Sequence, residues 1–141
     1  MLNMVNQKDW FESVSRDCTN EMFEICVVNY PYSGMPCGVC GLTHINWKDR
    51  HAEVSIYIGD PEHEQRGVAT WALRRLAEIA FLEYGLYRLW AEIYDFNEAS
   101  IALFRKCGYR WEGTARSAVW HDGKWWDSHS YSLLGPEWKL L

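Results

Sequence analysis

The chain has 141 residues, of which 48% are hydrophobic and 23% charged, so we expect a single globular domain over residues 1–141. Its formal net charge of −5 argues against nucleic-acid binding, and its apolar runs are too short to make it a membrane protein. The net negative charge is consistent with a cationic substrate, and equally with a role only in keeping the protein soluble.

The first half of the chain predicts one helix and three strands. The helix is expected over residues 7–17, where Trp10, Phe11 and Val14 form one apolar stripe. The strands are expected over residues 21–29, 37–46 and 52–58. Because they are sequential and closely linked, we expect an antiparallel meander.

The second half predicts two helices and three more strands. Apolar residues at three- and four-residue steps predict a helix over residues 67–84, ended by Gly85, followed by a strand over residues 86–94. Asn97 is expected to cap a short helix that reaches residue 107. Strands over residues 109–120 and 124–134 flank Asp122-Gly123, a type I′ hairpin signal.

These elements predict an α/β fold in the α+β sense. We expect a single mixed, mostly antiparallel sheet flanked by helices. The helix between the fourth and fifth strands is expected to make one parallel crossover.

Cysteine usage predicts thiols without redox or metal chemistry. Cys37 and Cys40 form a C-x-x-C pair within a predicted strand, where side chains three residues apart point to opposite faces. Because no second pair completes a zinc site and no HExxH spacing is present, we interpret both as small buried hydrophobes and expect no metal. The odd count of five, with no signal-peptide pattern, predicts a reducing, cytoplasmic location.

The nine tryptophans are an unusual excess. Most are expected in the core or in subunit contacts, and a minority in a ligand pocket.

The segment over residues 61–70, PEHEQRGVAT, carries the main functional signal. A strand that leads through Gly67 into a helix N-terminus can bind an anion with its unpaired backbone N–H groups, and Arg66 adds a cation. The alternative interpretation is an ordinary turn. The segment is neither a P-loop nor a dinucleotide fingerprint.

This order of elements resembles the GNAT superfamily of N-acetyltransferases, most closely its ribosomal-protein N-terminal and spermidine acetyltransferase subgroup. Three blocks carry the resemblance: IGDPEHEQRGVAT (58–70) is similar to the acetyl-CoA pyrophosphate loop, YRLWAEIYDFNEASIALFRKCGY (87–109) to the N-x-x-A/S block, and WHDGKWWDSHSYSLLGPEW (120–138) to the terminal hairpin. The chain departs from the family pattern at Glu64 and Gln65, at Phe104 where the general-acid Tyr is frequent, and in apparently lacking the usual first strand.

The resemblance implies acetyl-CoA as co-substrate. The residues expected to bind it are Tyr57, Ile58, Gly59, Gln65, Arg66, Gly67, Val68, Ala69, Thr70, Asn97, Phe104 and Lys106.

The chemistry of acetyl transfer to an amine places most of the demand on a base. Deprotonating an alkylamine at pH 7 costs about 4.6 kcal/mol, whereas protonating the leaving thiolate requires only about 2 kcal/mol. Glu53 is the candidate base, acting directly or through water; the alternative is an exposed strand-edge carboxylate. Ser100 is a candidate substitute for the missing acid, or it only completes the first turn of a helix.

The expected function is acetyl transfer to a primary amine of a small molecule or a peptide N-terminus. The alternatives are an amino-sugar nucleotide acetyltransferase and a catalytically silent acyl-CoA-binding module. An unpaired sheet edge and the tryptophans of the C-terminal hairpin predict a homodimer.

Overall fold

The structure, a computed structural model, describes residues 18–27, 34–59 and 67–141. The predicted helix over residues 7–17 lies outside these ranges. The described elements in chain order are β1 (Glu21–Val27), β2 (Met35–Asn46), β3 (His51–Ile58), α1 (Val68–Glu78), a π-helical turn (Ile79–Glu83), β4 (Arg88–Tyr94), α2 (Glu98–Lys106), β5 (Arg110–His121), β6 (Lys124–Leu134) and α3 (Gly135–Trp138).

The strands form one mixed sheet in the order β1-β2-β3-β4-β6-β5, which confirms the predicted fold class. β1, β2 and β3 form the expected antiparallel meander. The directly paired parallel strands are β3 and β4, which α1 joins. The helix between the fourth and fifth strands also joins two parallel strands, as predicted, because β6 lies between β4 and β5 and pairs antiparallel with both. The sheet therefore has two such crossovers, where the sequence predicted one.

The hairpin that returns β6 to the sheet has the predicted turn. Asp122 and Gly123 have φ angles of 49° and 78°, the positive values that a type I′ turn needs at both central residues. This turn matches the right-handed twist of the flanking strands, so β6 can pair along most of β5.

The core lies between the sheet and one face of α1. Leu73 and Leu76 are almost fully buried, with Ala72 and Ala77 beside them, and they pack with Leu42 and Leu89 of the sheet. Each buried leucine contributes about 1.5–3 kcal/mol relative to an exposed one. Among the described residues, no helix combines the length and apolarity needed to cross a bilayer.

The cysteines and the tryptophans divide differently between core and surface. Cys37, Cys40 and Cys107 are buried and form no disulfide, as expected for small hydrophobes. Burial raises the pKa of Cys40 to about 11, so its thiol stays protonated and unreactive at neutral pH. No tryptophan in the described ranges is fully buried, although Trp138 is half-buried against the core, so the core part of the expectation is met only in part.

Candidate active site

A cleft opens where β3 and β4 separate. The two strands pair only at their first residues, in the register His51–Arg88, Ala52–Leu89 and Glu53–Trp90. Beyond Glu53, β3 stays paired with β2, and β4 stays paired with β6. The sheet therefore splits along its middle, and two cavities lie at the split.

The first cavity, which we call the helix-side cavity, has a volume of about 270 Å³ and is bounded by β3, α1 and α2. It brings together seven of the residues predicted from the sequence. Its lining is Ile56, Tyr57, Ile58, Gly67, Ala69, Thr70, Asn97, Ala99, Ser100 and Leu103.

The start of α1 gives this cavity an anion-binding end. Gly67 is the N-cap with φ 76°, a left-handed conformation that glycine adopts without strain. The first backbone hydrogen bond of the helix runs from the Trp71 amide to the Gly67 carbonyl, at 3.0 Å. The amides of residues 68–70 come before it, so they have no hydrogen-bond partner within the helix. Gly67 has no side chain to cap them, and the first turn of α1 holds no acidic residue. The positive end of the helix dipole is thus available to a ligand.

The start of α2 closes the cavity from the other side. The Asn97 side-chain oxygen accepts a hydrogen bond from the Ser100 amide at 3.1 Å, which confirms the predicted cap. Ser100 is half-buried and lines both cavities at the split. Asn97 therefore holds the backbone of Ser100 in place beside the cleft.

The second cavity, which we call the open-face cavity, has a volume of about 340 Å³ and contains Glu53. It shares Ile56, Asn97 and Ser100 with the helix-side cavity, so the two communicate. Its lining is Thr43, Glu53, Val54, Ser55, Ile56, Ala91, Glu92, Ile93, Tyr94, Asn97, Ser100 and Phe104.

Glu53 is not an exposed strand-edge carboxylate. β3 is an internal strand, and the Glu53 side chain is only 26% exposed. Its Oε2 atom lies 2.7 Å from His44 Nδ1 and accepts a longer hydrogen bond from Thr43 Oγ1 at 3.4 Å. The carboxylate is therefore held in place at the wall of the cavity.

Phe104 lies at the edge of the open-face cavity but is almost fully buried. Its ring packs edge to face on Tyr109, with centroids 4.9 Å apart. The Tyr109 hydroxyl is buried without a hydrogen-bond partner in the described part of the chain, and burial raises the pKa of this phenol above its ordinary value. Tyr109 is absent from both cavity linings, so it does not replace the missing acid there.

Other predicted cofactor residues lie outside the helix-side cavity. Gln65 and Arg66 are outside the described residues. The Gly59 amide donates to the Cys37 carbonyl at 2.8 Å, so it is not free for a ligand. Val68 packs against the core, and Lys106 lies in a separate cavity beside Trp71 and Arg74.

Glu92 and Tyr94 are the cleft residues that sequence reasoning missed. Both line the open-face cavity and also a larger groove of about 610 Å³ that runs toward the β5–β6 hairpin. The alternation of side chains along β4 could have identified them. Glu92 and Tyr94 lie on the same face as Trp90, and the opposite face is buried at Leu89, Ala91 and Ile93. Glu92 lines both the groove and the open-face cavity, whereas Glu53 lines only the open-face cavity.

His129, which shares a strand face with Tyr131, makes a structural network instead of entering the cleft. Its Nε2 lies 2.8 Å from Asp95 Oδ1, and its Nδ1 lies 2.8 Å from Thr114 Oγ1. Asp127 binds the Ser117 amide. Among the described residues, no group of three or more His, Cys, Asp or Glu is placed to hold a metal.

The sequence matches a known family model over residues 2–110, described as an acetyltransferase (GNAT) domain. The chain belongs to the GNAT acetyltransferase family. This confirms the family expected from the three sequence blocks.

Named relatives agree with this assignment. The chain is 35% identical over 108 residues to the putative ribosomal N-acetyltransferase YdaF of Bacillus subtilis, covering 77% of this chain and 58% of the relative. It is 32% identical over 92 residues to the spermidine N(1)-acetyltransferase of Escherichia coli, covering 65% and 49%. The chain thus spans about half the length of the curated relatives that it matches.

Solved structures share the fold. The spermidine N-acetyltransferase from Vibrio cholerae, solved in complex with CoA and spermine, superposes with a TM-score of 0.85 at 21% identity. The superposition covers 97% of this chain and 78% of the Vibrio chain. At this identity the likeness shows the fold alone.

Proposed function

We propose that the chain transfers an acetyl group from acetyl-CoA to a primary amine in the cleft between β3 and β4. The main observation behind the proposal is that β3 and β4 separate between two cavities whose walls differ in chemistry. An uncapped helix N-terminus borders one cavity, and a hydrogen-bonded carboxylate borders the other. Acetyl transfer from acetyl-CoA to an amine needs a site for the cofactor's diphosphate and a base near the reacting carbonyl.

Acetyl-CoA fits the helix-side cavity by its chemistry. Its diphosphate suits the amides of residues 68–70 and the positive end of the α1 dipole. Its pantetheine amides suit the backbone edges of β3 and β4 that do not pair with each other, as an added strand would. Tyr57 and Ile58 lie on that edge, and Asn97 and Ser100 lie where the thioester would enter the open-face cavity.

The amine would approach across the open face. Glu53 and Glu92 both line the open-face cavity, so their carboxylates favour a protonated amine at the entrance. Glu53 would then accept the ammonium proton, and the neutral nitrogen would attack the thioester carbon. As the carbon–sulfur bond breaks, the nitrogen gives up its second proton to solvent to leave a neutral amide. CoA leaves as a thiolate that takes a proton from solvent, which needs no Tyr at position 104.

A panel of amines tests the proposal. Purified protein with acetyl-CoA should release CoA thiol and form an acetylated product with at least one polyamine, amino sugar, aminoglycoside or peptide, as measured by thiol titration and mass spectrometry. Tight acetyl-CoA binding without turnover on any amine would instead favour the silent acyl-CoA-binding module, which the buried Phe104 already suggests. Turnover restricted to sugar nucleotides would favour the amino-sugar alternative.

We also propose a homodimer built on the β5–β6 hairpin. Trp111, Trp120 and Trp125 are each more than half exposed there, and aromatic side chains are enriched at subunit contacts. β5 is an edge strand of the described sheet and is exposed along most of its length. Light scattering at tens of micromolar should give twice the 16.6 kDa chain mass, and Trp125→Arg should lower it. A monomer mass for the unchanged protein would reject the dimer.

The thiols support a cytoplasmic location for the protein. None of the five cysteines, all of which lie in the described ranges, forms a disulfide, and three of them are buried where oxidation would disturb the core. Free thiols of this kind persist in a reducing compartment. Fractionation of the source cells would test this placement.

A further inference from the structure

His44 is held against Glu53 by an irregularity in β2. The β2–β3 register jumps from Thr43–Glu53 to Asn46–His51, so two residues of β2 face one residue of β3. This is a β-bulge, and His44 within it has φ 49°. Bulges of this kind redirect a side chain and occur often beside active sites.

The bulge changes which face His44 occupies. In a regular strand His44 would point away from Thr43, toward the helices, because successive side chains alternate. The left-handed residue breaks that alternation, and both Thr43 and His44 reach the Glu53 carboxylate. His44 does so while 74% exposed, so packing does not account for its position.

Both contacts go to the same carboxylate oxygen. His44 Nδ1 and Thr43 Oγ1 both lie against Oε2 of Glu53, at 2.7 and 3.4 Å. Within the described residues, Oε1 has no hydrogen-bond partner. An ionised carboxylate only accepts hydrogen bonds, so His44 donates through Nδ1–H. One oxygen is anchored, and the other is free to take a proton.

We infer that His44 is a positioning residue for the catalytic base: its Nδ1–H anchors Oε2 of Glu53 and leaves Oε1 for the amine or a bridging water. This inference rests on the proposed function and on the role of Glu53 within it. His44 touches neither the amine nor the thioester. Its effect is on the orientation of the carboxylate, and it should therefore appear in kcat and not in the affinity for acetyl-CoA.

Two substitutions separate the hydrogen bond from the backbone conformation. Glycine and asparagine both tolerate a positive φ, so neither strains the bulge. His44→Asn keeps an N–H donor close to the position of Nδ1, whereas His44→Gly removes it. We expect His44→Gly to lower kcat about tenfold with an unchanged KM for acetyl-CoA, and His44→Asn to stay within about threefold of the unchanged protein.

A double substitution tests whether His44 acts through Glu53. In a Glu53→Gln background, His44→Gly should change kcat less than about twofold, because residues that act as a unit are not additive. Independent, multiplying losses would overturn the inference, and so would a His44→Gly variant with unchanged kcat. If Glu53→Gln has no effect, the base assignment and the positioning role both fail. If the unchanged protein acetylates no amine, the proposed function itself fails.

Discussion

A charge placed at Gly67 tests the anion site at the start of α1. Gly67→Glu and Gly67→Gln add side chains of nearly the same shape, and a Cβ at this position meets no atom of the described residues within 4 Å. Both variants adopt a left-handed φ at a cost of about 1–2 kcal/mol, so both should lose similar thermal stability. The carboxylate of Gly67→Glu lies near the helix N-terminus, which favours the folded protein by about 0.3–1 kcal/mol.

The same carboxylate should oppose a bound diphosphate. Two like charges 4 Å apart repel by about 1 kcal/mol in water and about 4 kcal/mol at an effective dielectric constant of 20. Because Gly67 is exposed, we expect the lower part of that range, or about tenfold weaker binding for Gly67→Glu than for Gly67→Gln. The charge therefore has opposite effects on stability and on cofactor affinity.

Calorimetry with acetyl-CoA measures the affinity, and thermal unfolding without ligand measures the stability. Gly67→Asn is the control, because asparagine tolerates the left-handed conformation and adds no charge. Equal acetyl-CoA affinities for Gly67→Glu and Gly67→Gln would refute a diphosphate at this helix start. Parallel losses of affinity and melting temperature in all three variants would assign the effect to backbone strain.

Three further predictions concern the base, the acid position and a surface ion pair. Glu53→Gln should lower kcat at neutral pH and lose less at high pH, where the amine is already neutral; a pH-independent loss in the rate profile would remove Glu53 as base. Phe104→Tyr should keep or raise kcat, and a large fall with intact acetyl-CoA binding would indicate instead that Phe104 packs against the thioester. Hydrogen bonds from Arg88, at 2.9 and 2.6 Å, hold the pKa of Glu112 below its usual range. Because this carboxyl binds protons more weakly in the folded state, the pair stabilises the fold above about pH 4.5, and that contribution is lost as the pH falls. Glu112→Gln should therefore make the melting temperature fall less steeply with decreasing pH.

Local chemistry in the sequence determined the elements and several parts of the site. The apolar spacing around Leu73 and Leu76 predicted α1 because one helix face must be buried. Asn97 and Asp122-Gly123 predicted a cap and a turn, since each depends on the conformation of only a few residues. Gly67 marked the start of α1 for the same reason.

Only the tertiary structure decided how these elements combine. The position of β6 between β4 and β5 depends on long-range pairing, which alternation along one strand does not specify. The separation of β3 from β4 and the bulge at His44 both depend on how neighbouring strands pair. They therefore leave no signal in the spacing of residues along a single strand. The sequence therefore identified Glu53 as a candidate base, and the pairing of neighbouring strands supplied the partner that holds it in place.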